Sequence, residues 1–325
     1  GRYLVKTDNW KVHSNLILII DEASMIDFKL MKLINEATDS SCKIVYIGDP
    51  CQLPPVKEVL SEVYMVEKPY TYLTEPMRNS GSDDLINLCD LVRNVVETLD
   101  FSPLETIHTV PGVIDHFDDF EANHFIETYF LNEDVDARIL AFSNARVNEY
   151  NAYLRTLRGY PDKFTVGERL VAASAMVISN KVSMQVEEEF HVVEDLGPSV
   201  FVVDSSDANA VIQTQKLNIK SSRFSAVVHV PTDPDRALAL KKHYFKHKDW
   251  AKAYSIEENI ADLRPTTSCT VHKSQGSTYN CVFIDLNNIG KCTHNNELAR
   301  MLYVAVTRAQ SRIVFHGSLP RRLFV

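Results

Sequence analysis

The sequence predicts an α/β fold built on parallel sheets and interrupted by a small β-rich module. Three observations carry this expectation. Short apolar runs recur at LILII (16–20), KIVYI (43–47), RILAF (138–142), CVFIDL (281–286) and RIVFH (312–316), as in strands buried in a parallel sheet. Helical stretches alternate with them. From 164 to about 230 the chain turns Val-rich and alternating, as in VSMQVEEEFHVVED and SVFVVDSS, which reads as an antiparallel β insertion.

Each element follows from its residues. Asp27 is placed to cap a helix through FKLMKLINEA, where Phe28, Met31 and Ile34, with neighbouring Leu30 and Leu33, recur at helical spacing. Strand, helix, strand makes a βαβ unit with a right-handed crossover. Residues 82–98 repeat the helical period, and RVNEYNAYLRTL continues as a helix after RILAF. A composition shift follows Gly159 and Pro161. Residues 233–262 are helical and highly charged, and from 266 the α/β pattern returns, with ELARMLYVAVTR as a helix between the last two strands.

Composition sets the bounds. The chain has 325 residues, 45% hydrophobic and 24% charged, enough for two or three domains with cores. No apolar run approaches the ~20 residues that span a bilayer, and no signal peptide is visible. The net charge of −9 weighs against a surface coated in nucleic acid but leaves room for a local basic channel. Six cysteines form no CxxC pair and read as reduced thiols of a cytoplasmic protein.

The chemistry concentrates at strand ends, where open α/β sheets bind ligands. Asp21 and Glu22 close the run LILIIDEASMID. An Asp there suits Mg²⁺, which takes a few carboxylates plus phosphate and water oxygens. A Glu beside it can deprotonate an attacking water. Read alone, the pair could equally be two solvated acids. GDPCQLPPV (48–56) follows the second strand and presents Gln52, an amide suited to sensing a terminal phosphate. LTEPMRNSG (73–81) places Arg78 just before a helix, and YVAVTRAQSR (303–312) places Arg308 at the end of one. An Arg supplied to a transferring phosphoryl group stabilises its developing charge. TVHKSQGSTY (270–279) gathers Thr270, His272, Lys273, Ser274 and the amides near Gly276 into one loop that can meet phosphate oxygens. In KKHYFKHKDWAK (241–252), five Lys interleave with Tyr244, Phe245 and Trp250. That pattern could follow a nucleic-acid backbone, but a solvated helix whose aromatics pack inward is the stronger reading.

In this order, IIDEASM, GDPCQLPPV, LTEPMR, TVHKSQGSTY and LYVAVTRA resemble motifs II to VI of superfamily 1 helicases. The QLPPV, HKSQG and VAVTRA spellings resemble branch 1B, the RecD-like and Dda-type enzymes. The resemblance implies two RecA-like motor domains with a small SH3-like insertion in the second. Residues 1–75 would be the C-terminal part of the first motor domain. Residues 76–163 and 266–325 would form the second, split by an insertion over 164–265. It implies ATP and Mg²⁺ as cofactors, with Asp21 on the metal, Glu22 activating water and Gln52 sensing the γ-phosphate. Arg78 and Arg308 would reach across the interdomain cleft, and Gly276 would face the nucleotide. Thr270, His272, Lys273, Ser274 and Asn144 would face DNA. The implied activity is stepping along single-stranded DNA, 5′ to 3′, and unwinding a fork in replication, recombination or repair. The implied protein is a monomer away from membranes, in a host cytoplasm if phage-encoded, with a single-strand-binding or replication protein as partner. Two other readings stay open: a non-catalytic DNA-binding or regulatory subunit, and a RecD-like subunit of an exonuclease complex.

One departure shapes the expectation. The G-x-x-x-x-G-K-[ST] loop that cradles phosphates in such motors does not occur. Of ten glycines only Gly290 precedes a Lys, and position 285 is Asp. The chain therefore reads as an N-terminally incomplete copy, inactive alone, with the loop expected within ~100–150 residues upstream, the rest of one RecA-like domain. GRYLVKT (1–7) would be the tail of a strand-separating pin.

Overall fold

The computed structural model describes residues 10–55, 58–66, 69–74, 82–179 and 182–324. GRYLVKT and Arg78 lie outside the described residues. In chain order, β1 (Ile17–Ile20) leads through a 3₁₀ turn (Ala23–Met25) to α1 (Phe28–Glu36) and β2 (Lys43–Tyr46). There follow α2 (Glu62–Met65), α3 (Asp83–Thr98), β3 (Ile114–Phe117), α4 (Asp119–Tyr129), β4 (Ala137–Ala141) and α5 (Asn144–Leu157). The β-rich run comprises β5 (Arg169–Ala172), β6 (Met176–Ser179), β7 (Val182–Met184), β8 (Glu189–Val202), β9 (Val211–Lys220) and β10 (Ser225–Pro231). Then come α6 (Pro234–Lys246), α7 (Trp250–Asn259), β11 (Leu263–Pro265), β12 (Ser268–Thr270), α8 (Val271–Ser274), β13 (Tyr279–Asp285), α9 (Leu286–Ile289), α10 (Asn295–Val306) and β14 (Ala309–His316). The class is α/β with parallel-strand sheets, consistent with RecA-like motor domains. The chain divides into two compact units: Gly1–Ala122, Ile139–Asn144 and Thr270–Val325 form one, Asn123–Arg138 and Ala145–Cys269 the other.

In the first unit β1 and β2 pair in parallel, Ile17 opposite Lys43 and Ile20 opposite Tyr46. Asp27 caps α1 as its position predicts, its Oδ1 accepting from the Leu30 amide at 2.7 Å. The turn after β1 buries Ala23 and Ile26 with Val63 of α2, and Ile20, Met31, Ile34 and Tyr46 pack on this cluster. The expectation that both strands are buried needs correction: Ile17 and Ile19 are 66% and 64% exposed. Side chains alternate across a strand, and α1 and α2 supply apolar partners to one face only.

The larger core of this unit is a sheet in which β13, β14 and β3 are successive neighbours and residues 139–141 of β4 lie beside β13. β14 pairs in parallel with both β13 and β3. Ile139, Leu140, Val282, Phe283, Ile313 and Val314 are fully buried. Helix α10 is buried from Leu298 through Val306, as a helix apolar all round must be. α3 packs against it, burying Leu85, Leu88, Val92, Val95 and Val96, and starts at a Ser82 cap whose Oγ accepts from the Leu85 amide at 3.3 Å.

The second unit holds a five-stranded sheet in the order β10-β9-β8-β5-β11 and a separate β6–β7 hairpin. Successive pairs in both are antiparallel. β8 carries irregularities at Val192/Glu194 and Asp195/Pro198, which bend a long strand around its core of Phe190, Leu217, Ile219 and Val228. The composition shift after Gly159 coincides with a staple. Arg155 of α5 pairs with buried Glu168 at 2.8 Å, donates to the Pro161 and Lys163 carbonyls, and lies 4.9 Å from the Phe164 ring centroid.

The basic aromatic stretch resolves toward packing. Tyr244 is buried with Ala253 and Ile256, and Phe245 packs beside them. Trp250 and Tyr254 meet Phe245 edge-on at 5.9 and 5.8 Å. Lys241 pairs with Glu257 at 2.6 Å, and Lys252 with Asp204 at 2.6 Å and Asp249 at 3.0 Å. Among the described residues no helix is long and apolar enough to cross a membrane.

Candidate functional site

Three loops of the first unit converge: the turn after β1, the GDPCQL loop after β2, and the HKSQG loop around α8. Asp21 stands exposed at the end of β1 and accepts its neighbour's amide, Glu22 N–H to Oδ1 at 2.8 Å. Glu22 adopts φ 51°, ψ 42°, a left-handed conformation costing a non-glycine residue roughly 1–2 kcal/mol. Such outliers cluster at functional sites. Here the conformation carries the Glu22 carboxylate to the HKSQG loop, where its Oε1 lies 3.6 Å from the Cβ that a side chain at Gly276 would add. Gly276 itself has φ +80°. A second contact lies beside it, where Gln275 donates from Nε2 to the buried Ser24 hydroxyl at 3.1 Å.

Gly48 lets the GDPCQL loop approach the acids. A Cβ there would sit 2.5 Å from the Tyr64 hydroxyl and 2.9 Å from the Ala23 amide nitrogen. Gly48→Ala is therefore expected to cost about 1–2 kcal/mol by overpacking, read as a lower melting temperature. An unchanged melting temperature would show that this loop yields freely. The Tyr64 phenol, pushed up to about 12 by burial and by the charges of Asp49 and Glu22, stays protonated. Among the described residues its oxygen is buried without a hydrogen-bond partner, as are Oε1 of Gln52 and Oε1 of Gln275. Buried polar atoms are rarely left so. Two of them on the loops around the two carboxylates and one on α2 mark a place where a polar ligand would complete the hydrogen bonding.

The GDPCQL loop is gripped from α3 and α10. Asp49 accepts from Tyr303 Oη at 2.6 Å and from Arg93 at 3.2 Å, and Arg93 also donates to Tyr303 Oη at 3.0 Å. Arg300 donates to the Pro50 carbonyl and, at 2.9 Å, to the Gln52 carbonyl. The Cys51 thiol between them is pushed up to about 11, chiefly by burial, which removes it from thiolate chemistry at neutral pH. Sequence reasoning missed Arg93, Arg300 and Tyr303. A signal existed for two of them: Arg300 and Tyr303 stand three apart, on one face of an otherwise apolar helix.

The remaining candidates separate into framework and surface. Thr270 caps α8, its hydroxyl accepting from the Lys273 amide at 3.3 Å. Ser274 is fully buried and donates to the Val271 carbonyl at 2.8 Å. Both hydroxyls are engaged in shaping the loop. His272 and Asn144 are exposed. The His272 ring lies 3.5 Å from Glu297 and 6.4 Å from the Phe142 centroid; its outer edge is open, and desolvation of its packed side lowers its pKa against the opposing pull of Glu297. The backbone leading to Asn144 is held by Asn288, whose Oδ1 accepts from the Phe142 and Ser143 amides at 2.8 and 2.9 Å. Arg308 is 1% exposed. It donates to the carbonyls of Val304 and Ser277, both at 3.1 Å, and to Thr307 Oγ1 at 2.9 Å.

Among the described residues no group of three or more His, Cys, Asp or Glu could hold a metal unaided. Asp21 with phosphate and water oxygens fits Mg²⁺, which binds through one or two carboxylates plus substrate. The Gln52 and Gln275 oxygens, as acceptors, fit water molecules in the hydration shell of a polyphosphate or its Mg²⁺, and the Tyr64 hydroxyl can donate to a phosphate oxygen.

The comparisons agree with this layout at both ends of the chain. Residues 2–100 match the AAA domain family and residues 266–315 the UvrD-like helicase C-terminal domain family. The ATP-dependent DNA helicase dda of Enterobacteria phage T4 is 23% identical over 92% of this chain and 75% of its own length. The RecBCD enzyme subunit RecD of Buchnera aphidicola is 22% identical over 91% of this chain and 53% of its own. Among solved structures, Bacteroides Pif1 helicase in complex with ADP-AlF3 and ssDNA superposes with a TM-score of 0.52 at 16% identity, covering 100% of this chain and 76% of that one. With the motif order and the parallel-sheet fold, these matches support a likeness to superfamily 1 helicases of the RecD- and Dda-type branch 1B.

Proposed function

We propose that this chain acts in an ATP-dependent DNA helicase that steps 5′ to 3′ along single-stranded DNA. The observation carrying this reading is the junction of the HKSQG loop with the acid pair, Gln275 on Ser24 and Gly276 beside Glu22. It ties a loop able to follow a phosphate backbone to the carboxylates that would act on ATP. Asp21 would hold Mg²⁺, which when bound supplies charge neutralisation at the transferring phosphate. Glu22 accepts a proton from the attacking water, and Gln52 orients toward the terminal phosphate. Arg78 and Arg308 are assigned to the charge that develops there. His272, Lys273 and Asn144 are assigned to DNA, with Thr270 and Ser274 fixing the loop beneath them. The helicase named dda and the Pif1 complex with ADP-AlF3 and ssDNA support the choice of ATP and DNA.

The test has two arms. The 325-residue chain should bind a fluorescent oligo-dT, with affinity falling as salt rises because phosphate contacts release counterions. It should release no phosphate from ATP, since none of its ten glycines opens a phosphate-cradling G-x-x-x-x-G-K-[ST] loop. Extended upstream to include such a loop, the protein should hydrolyse ATP faster with oligo-dT than without. Absence of DNA binding in both forms would overturn the reading.

A further inference from the structure

The grip on the GDPCQL loop is built from residues that the helicase reading has not used. Asp49, two positions into the loop, accepts from Arg93 of α3 and from Tyr303 of α10. These two donors also contact each other, with the Arg93 guanidinium 5.7 Å from the Tyr303 ring centroid. One turn N-terminal to Tyr303, Arg300 reaches the carbonyls on either side of Cys51, and Asn296 steadies its Nε at 2.8 Å. Arg300 is itself 7% exposed. Charge-assisted bonds of this kind are among the stronger ones in proteins. The grip holds the backbone on either side of Cys51 and, among the described residues, leaves the Gln52 side-chain oxygen without a partner. The same helix runs from Arg300 through Tyr303 to its end at Val306, just before Thr307 and Arg308. A displacement at Gln52 therefore has a stiff route to Arg308, with no flexible loop between.

We propose that Arg93, Arg300 and Tyr303 are positioning residues: they set Gln52 from helices α3 and α10, so that engagement of Gln52 by a terminal phosphate and the placement of Arg308 are one mechanical event. The inference rests on the assignment of Gln52 as the phosphate-facing amide, and the test separates the two. On the 325-residue chain, hydrogen exchange read by mass spectrometry should show the peptide over residues 48–55 exchanging at least about tenfold faster in Arg300→Gln and Tyr303→Phe. β13 and β14 should keep their protection, because loops open locally without global unfolding. Unchanged exchange over 48–55, or equal acceleration throughout the unit, overturns the grip. In the protein extended to include a P-loop, Tyr303→Phe should lower kcat by about tenfold while KM for ATP stays within about twofold, the pattern of an interaction made in the transition state. Variants with wild-type kcat would overturn the positioning role while leaving the helicase reading intact. A wild-type extended protein without ATP turnover would overturn that reading, and the positioning role with it.

Discussion

Glu22→Gln, in the protein extended to include a P-loop, should bind ATP as the wild type does and hydrolyse it at least about 10²-fold more slowly, the scale set by removing a general base. The substitution is nearly isosteric. It keeps an oxygen that can face Gly276 and leaves the backbone to hold its left-handed turn, but it takes away the proton acceptor. The fold around it has little reason to respond. Glu22 is only half-buried, and what fixes the turn is backbone hydrogen bonding: its amide on Asp21 and its carbonyl accepting from the Met25 amide at 3.0 Å. Melting temperature should therefore stay within about 2 °C, consistent with the small effects of substitutions away from packed cores. Nucleotide binding read with a fluorescent ADP, beside phosphate release, separates the two functions. Hydrolysis surviving in Glu22→Gln would remove Glu22 from the base role. Loss of binding together with hydrolysis would assign it to holding the nucleotide instead.

Much of this arrangement was legible in the residues, and the illegible part has physical causes. The strands LILII, KIVYI, RILAF and RIVFH appear where apolar runs place them, because a buried parallel strand needs little beyond a short apolar stretch between turns. The Asp27 cap was equally plain, since capping depends on one side chain and three residues of spacing. β3 was not seen: its sequence IDHF holds two polar residues in four, and it is recruited by β14 through Ile114 opposite Ile313 and His116 opposite Phe315. Pairing of that kind is set by tertiary context, and no local pattern announces it. The exposure of Ile17 and Ile19 was hidden for the same reason, because a run of four apolar residues does not say how many faces will be covered. At the site, the motif residues could be chosen by type, but their division of labour could not. Thr270 and Ser274 look like phosphate ligands in sequence and make hydrogen bonds within their own loop, whereas Tyr303 looks like core and donates to Asp49. A hydroxyl's partner depends on which backbone groups the fold leaves unpaired, and that is settled only in three dimensions.

Arg308 is the residue on which sequence and structure pull hardest in different directions, and its substitution should have the largest effect on stability. As a finger it would have to meet a phosphoryl group, yet here it is buried against the Val304 and Ser277 carbonyls and the Thr307 hydroxyl. Bonds from a charged donor contribute about 1.5–3 kcal/mol each, and buried acceptors left without one cost a comparable amount. Allowing for overlap among three bonds, Arg308→Ala should destabilise the unit by about 3 kcal/mol, or roughly 6–12 °C in melting temperature. Arg308→Lys retains the charge but lacks the planar fork that serves several acceptors at once, so it should recover part of that loss. The catalytic assignment makes a separate demand. In the extended protein, Arg308→Lys should lose at least about 10²-fold in kcat with DNA present, because a lysine ammonium cannot reproduce a guanidinium at a transferring phosphoryl group. A variant that melts lower but turns over normally would make Arg308 a strut at the end of α10 and nothing more. A variant that loses turnover far beyond its loss of stability would require the guanidinium to leave the Ser277 carbonyl during the cycle. That exchange would begin just past the end of the helix whose Arg300 and Tyr303 hold the GDPCQL loop.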